Sequence, residues 1–203
     1  MLALSGIATA SASAAECPGT GEGLELCSGG HTLEGTFEFT GKAAGAKFKI
    51  ESIGSYECAG IKSKGKFTTA PGKVEVTGQS MEWLSCHVNP TCQFHPLVFG
   101  GGAGLHGIWA NKAGTDEITL STVGTAPFGE LLVTGCEQEM EGKITGAQKC
   151  KLPHATTEAA THEVVCEFSG SELQYKPGFR RFYMQVSEEV KLSSGKAFSL
   201  QQG

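Results

Sequence analysis

Among its 21 acidic residues the chain has a single aspartate, Asp116, and among its 16 lysines and arginines only two arginines, Arg180 and Arg181. Mg²⁺ and Ca²⁺ sites draw on clustered Asp and Asn. With only Asp116, Asn89 and Asn111 to supply them, no EF-hand-like loop can be written. Arg forks, which phosphate sites favour, reduce to one adjacent pair. No apolar run is long enough to span a bilayer as a helix. The net charge of −5 and a pI near 5.7 argue against a nucleic-acid partner. Proline is scarce at 7 residues, so even with 29 glycines the two total about 18%, under the ~25–30% typical of disordered chains. Glycine has no three-residue period, which excludes collagen. A Gly-rich, weakly acidic globular protein remains, with 39% hydrophobic and 18% charged residues.

The chain opens on a short apolar run from Leu2 to Ala10, followed by Ala12-Ser13-Ala14. An apolar stretch ending in a small-residue A-x-A site is the back half of a secretory signal peptide. Residues 1–14 are so read, with the basic n-region missing, which suggests a start further upstream or a fragment. Residues 15–203 then form one domain, since no Pro- or Ser-rich linker divides them. A chain of this size can bury roughly 70% of its unfolded surface.

Export gives the eight cysteines a meaning: Cys17, Cys27, Cys58, Cys86, Cys92, Cys136, Cys150 and Cys166. An even number in an oxidising compartment reads as disulfides, although eight cysteines permit 105 pairings. Spacing favours local loops: Cys17 with Cys27, Cys86 with Cys92 around Asn89-Pro90-Thr91, and Cys150 with Cys166. Cys58 and Cys136 are left to join the two halves.

Short alternating runs recur along the chain. Phe37 and Phe39, Phe48 and Ile50, Val74 and Val76, Ile118 and Leu120, and Phe182, Met184 and Val186 each alternate with polar residues. Period-two alternation marks strands with one buried and one wet face. Turn signals at Gly41 to Gly45, Pro71-Gly72, Ala113-Gly114 and Pro177-Gly178 separate the runs. The expectation is an all-β domain, an antiparallel sandwich or barrel of about ten to twelve strands. Phe179, Phe182, Val186 and Val190 also fit a helical face, but their β-favouring neighbours make strand the better reading. Residues 156–161 could hold one helical turn. Gly35-Thr36-Phe37, Gly65-Lys66-Phe67 and Gly142-Lys143-Ile144 form a weak echo that hairpin grammar explains as well as duplication does.

Candidate sites are sparse. Cys86, His87, Cys92 and His95 lie within ten residues and offer soft ligands for zinc or copper. Paired sulfurs would remove that possibility, so neither metal nor cofactor is expected. Gly102, Gly104 and Gly107 satisfy G-x-G-x-x-G, but a dinucleotide site needs a helix next. Only Ile108 to Ala113 precede Gly114, too short for one. No G-x-S-x-G is present, and nothing marks Ser80, Ser85 or Ser171 as activated. Paired glutamates could serve glycoside hydrolysis, a condition that any Glu-rich sandwich meets. Trp83, Trp109 and Tyr56 could form a sugar-stacking platform, with core packing the competing reading. Lys176-Pro177-Gly178-Phe179-Arg180-Arg181 is a small basic patch that could touch an anionic wall polymer or simply be a solvated turn. Pro90 voids the Asn89-Pro90-Thr91 sequon.

The stretch from Gly65-Lys66-Phe67 through Pro71-Gly72-Lys73-Val74 to Cys86 and Cys92, then Gly104-Leu105-His106-Gly107-Ile108-Trp109 before Cys136, resembles a group of proteins. These are secreted, disulfide-bearing β proteins of soil-dwelling high-GC Gram-positive bacteria. The resemblance spans roughly 80 residues and implies no catalytic or ligand residues. The Cys150 and Cys166 segment departs from it and reads as a disulfide-closed insertion at about 147–168, which implies that these two cysteines pair. The resulting expectation is an exported, non-enzymatic, monomeric protein that binds an extracellular or envelope ligand. The alternatives are a structural wall-associated module and a secreted hydrolase.

Overall fold

The computed structural model describes residues 16–17, 23–51, 54–89, 92–95, 104–112, 115–135, 140–175 and 179–202. Among the described residues there are fifteen strands and no helix. The first five are β1 (Leu24–Ser28), β2 (His31–Thr32), β3 (Gly35–Ala43), β4 (Ala46–Ile50) and β5 (Gly54–Ala70). Then come β6 (Lys73–Asn89), β7 (Cys92–Phe94), β8 (Leu105–Lys112), β9 (Thr115–Thr122) and β10 (Gly129–Thr134). The last are β11 (Met140–Thr145), β12 (Gln148–Leu152), β13 (His162–Tyr175), β14 (Phe179–Leu192) and β15 (Ser199–Gln202).

Eight strands close an antiparallel barrel in the order β3-β5-β6-β8-β9-β12-β13-β14, with β14 returning to β3. Four of them overshoot it: β5 and β6 run 17 residues each, and β13 and β14 run 14. Beyond the barrel, β4 bridges β5 to β14. On the far side β7, β10 and β11 connect β6 to β13. The pairings thus complete a second circuit on the same four long strands. At the opposite end the small sheet β15-β1-β2 is anchored to the β5–β6 turn by Leu24 N–H to Gly72 O. It presents buried Leu24, Leu26 and Leu200 to the barrel, and Phe198 beside it packs against Phe67 at 5.8 Å.

The alternation seen in the sequence drives this closure. In β4, Ala46, Phe48 and Ile50 point inward and Lys47 and Lys49 outward. The buried side chains form one contiguous core, with Phe48 stacked on Tyr56 at 5.0 Å and edge-on to Trp83 at 5.1 Å. The long strands change parity where they pass from one circuit to the other. In β5, Tyr56 and Cys58 are buried, then Ile61, Ser63 and Phe67. In β6, Gln79, Met81 and Trp83 give way to Cys86, next to Ser85 at φ +47°; an earlier change, from Val76 to Gln79, falls within the barrel where β6 pairs with β8. The β5–β6 register slips between Lys64 and Lys66, and Gly78 nearby has φ +60°. Such bulges re-aim a strand without ending it.

The all-β antiparallel barrel expected from the sequence is present, with fifteen strands among the described residues, two of which, β2 and β7, are too short to show as alternation. The helical turn expected at residues 156–161 is not formed: they make the end of a turn, bends and an isolated bridge from Ala159 to Phe198. The segment 147–168, closed by the Cys150–Cys166 bond, supplies two wall strands of the barrel, β12 and the first half of β13.

Cys17–Cys27 and Cys150–Cys166 are bonded as expected, but Cys58 is bonded to Cys86. The expected pairs Cys58 with Cys136 and Cys86 with Cys92 are therefore corrected. The β5–β6 hairpin sets Cys58 directly opposite Cys86, with Cα atoms 3.8 Å apart. The β6–β7 register puts His87 against Gln93 and Asn89 against Cys92, so Cys86 and Cys92 are not opposed. Cys136 lies outside the described residues.

Candidate functional site

The barrel interior comes first, because a barrel of this size either fills with side chains or holds a ligand. Here it fills. The space between Phe39, Phe67, Trp109, Leu120, Val164 and Glu188 is about 20 Å³, which suits one water and no organic ligand. Glu188 is 1% exposed and accepts a 2.6 Å hydrogen bond from the Ser63 hydroxyl. Burial pushes the Glu188 carboxyl above its ordinary value, and the Ser63 bond offsets part of that rise. Gly41 makes the pair possible, since a Cβ there would run into Ser63 Oγ and Glu188 Oε2. Burial likewise raises Asp116, whose Oδ1 has no hydrogen-bond partner among the described residues. Both carboxyls are shut away from any substrate.

Outside the wall lies an open groove of about 360 Å³ over β4, β5, β13 and β14. Its side chains come from two cross-strand rows. One row runs Tyr183, Lys49, Ser55 across β14, β4 and β5. The other runs Glu167, Gln185, Lys47, Glu57 across β13, β14, β4 and β5. Same-face residues repeat every second position, so the rows stand about 7 Å apart. The backbones of buried Phe48, Tyr56, Phe168 and Met184 separate the rows and form the floor. Lys47 Nζ sits 2.7 Å from Glu57 Oε1. The Glu57 hydrogen bond, then its charge, raises the Lys47 ammonium above its ordinary value. Gln185 Nε2 donates to Glu167 Oε1 at 3.3 Å. Tyr183 is 38% exposed, unusual for an aromatic side chain here.

The groove can stack a planar or pyranose face on Tyr183 and hydrogen-bond around it, but it has no activated nucleophile. The Ser55 hydroxyl has no histidine or carboxylate partner among the described residues. Hydrolysis would need such a base within hydrogen-bond reach.

The residues singled out in the sequence fall elsewhere. Trp83, Trp109 and Tyr56 are 0%, 6% and 3% exposed and belong to the core, so they form no sugar platform. Cys86 is taken by Cys58 and cannot ligate as a thiolate. His95 is exposed, with Nε2 3.0 Å from Thr134 Oγ1. Cys17, Glu25 and Cys27 cluster tightly, but the two sulfurs are bonded to each other. Gly104 leads into strand β8 and not a helix, which removes the dinucleotide reading; Gly102 lies outside the described residues. In the basic patch 176–181, Arg181 is exposed and residues 176–178 lie outside the described residues. Tyr183 and Lys49 were passed over as ordinary alternating strand residues. Their only signal was an aromatic at a wet position of β14, legible once strand parity is known.

Among the described residues no helix is long and apolar enough to cross a membrane. The barrel wall is apolar inside and carries Lys42, Lys47, Glu57, Glu163, Glu167, Glu189 and Lys191 outside, the reverse of a membrane-spanning barrel. Comparison with protein-family models, curated protein sequences and solved structures gives no match.

Proposed function

We propose that the protein is an exported, non-enzymatic binding protein of the extracellular space or cell envelope, with the groove over β4, β5, β13 and β14 as its recognition face. The observation that carries this reading is the exposed Tyr183 set among hydrogen-bonding side chains on a wall whose interior is full. A carrier of apolar molecules would need an internal cavity, and the space among the described residues of the barrel interior is about 20 Å³. Export is supported by the Ala12-Ser13-Ala14 segment and by three disulfides, which persist in oxidising compartments. The carboxyls with raised proton affinity, Asp116 and Glu188, are buried and aimed at the core, which supports a non-catalytic role.

The test is a glycan and peptide array probed with the wild-type protein and with Tyr183→Ala. A ligand captured by the wild type and lost on Tyr183→Ala is the expected result. Ligands that bind both proteins equally overturn the groove as the recognition face.

A further inference from the structure

We propose that the groove takes an acidic saccharide, its ring on Tyr183 and its anionic group on Lys49, a reading that rests on the groove being the recognition face. Tyr183, Lys49 and Ser55 are consecutive cross-strand neighbours. At about 4.8 Å between strands, they set an aromatic face, an ammonium and a hydroxyl along a line about 10 Å long. A saccharide ring presents a C–H face to stack, hydroxyls to hydrogen-bond and, when acidic, a charge to neutralise.

Charge singles out the acidic kind. Lys47 is neutralised by Glu57 at 2.7 Å, whereas exposed Lys49 has no carboxylate partner among the described residues. The acidic side chains stand in the other row, where Glu167 accepts from Gln185. That row suits uncharged sugar hydroxyls, since carboxylate and amide accept and donate side by side. A peptide added as an extra strand is disfavoured, because β4 is paired with β5 and β14 on its two sides and β14 with β13 and β4.

The anionic group could be a carboxylate or a phosphate, so the test carries both. An oligogalacturonate, a phosphorylated oligomannoside and a neutral galactan oligomer of matched length are titrated into the wild-type protein by calorimetry. The expected result is that at least one acidic oligomer binds about five-fold or more tighter than the neutral one, and which acidic oligomer binds identifies the group. Lys49→Gln should weaken the acidic ligand about ten-fold or more and leave the neutral one unchanged, the size of one charge-assisted hydrogen bond. Tyr183→Ala should weaken all of them about ten-fold, and Tyr183→Phe should retain most binding. Lys191→Gln, far down β14, should change nothing. Melting curves check that each variant is folded.

Equal affinity for acidic and neutral oligomers, or a Lys49→Gln variant without effect, overturns the acidic-saccharide proposal. If no saccharide binds yet an array ligand is lost on Tyr183→Ala, only the saccharide assignment falls. If a saccharide binds and neither groove substitution alters it, the groove reading falls too.

Discussion

Glu188 is the residue whose chemistry conflicts most with its place. Among the described residues its charged state is helped only by the Ser63 hydroxyl, and the Phe39, Phe67, Trp109, Val164 and Val190 side chains around it carry no titratable group. Its carboxyl binds a proton more tightly in the folded than in the unfolded chain. Between the ordinary value of 4.5 and the raised folded value, the unfolded chain has lost the proton and the native chain keeps it. Stability therefore falls as pH rises through that window, and the cost is complete above the folded value. Asp116 acts with the same sign. Glu188→Gln keeps an acceptor for Ser63 and removes the charge. Its melting temperature should exceed that of the wild type near about pH 8 and match it near about pH 4. A variant no more stable at the higher pH would show that the buried carboxylate is already compensated. Gly41→Ala tests the same spot sterically. Its methyl would run into Ser63 Oγ and Glu188 Oε2, a form of overpacking that costs about 1–3 kcal/mol. Thermal denaturation should show a loss of about 2–4 °C for each kcal/mol in a domain of this size.

At the scale of strands, alternation was legible wherever a strand kept one parity. β4 and β9 bury every second residue without interruption, and both show plainly in the sequence; β12 alternates as well but reads as part of an insertion. The 17-residue β5 and β6 do not, because their buried parity changes where they pass between circuits. Residues 73–77 read as a strand, and the remainder of β6 to Asn89 was hidden behind Gly78 and the change of phase. The disulfide error has the same origin. Loop length alone favours Cys86 with Cys92, but a hairpin that continues through Leu84 brings Cys58 opposite Cys86. Peptide mapping under non-reducing conditions should recover Cys17–Cys27, Cys58–Cys86 and Cys150–Cys166. The two remaining cysteines, Cys92 and Cys136, should then appear in one linked fragment. Thr134 pairs with Gln93, the neighbour of Cys92. Recovery of a Cys86–Cys92 peptide would refute the β5–β6 register. The groove escaped notice for a further reason: its rows cross three and four strands, and no linear spacing reports which strands are neighbours.

Over the whole molecule, stability rests on the closed wall, its plug and the covalent ties. Melting the oxidised protein with and without excess EDTA should give midpoints within about 2 °C of each other, less than the effect of 1 kcal/mol. A reductant should lower the midpoint much further, since each crosslink contributes about 2–4 kcal/mol. Unfolding by EDTA alone would reveal a structural ion and contradict the bonding of Cys86. The plug is testable separately. Phe198 is 1% exposed and packs on Phe67, and its truncation to Ala should cost about 3–5 kcal/mol in a denaturant titration.

The two closed circuits have a bearing on how this protein meets its neighbours at high concentration. A sheet with an open border offers unpaired N–H and C=O groups that template growth by other chains. Each strand in the two circuits is flanked on both sides, so their backbone donors and acceptors are spent within the molecule. Among the described residues, crowding then finds no seam in the two circuits from which to propagate a fibre.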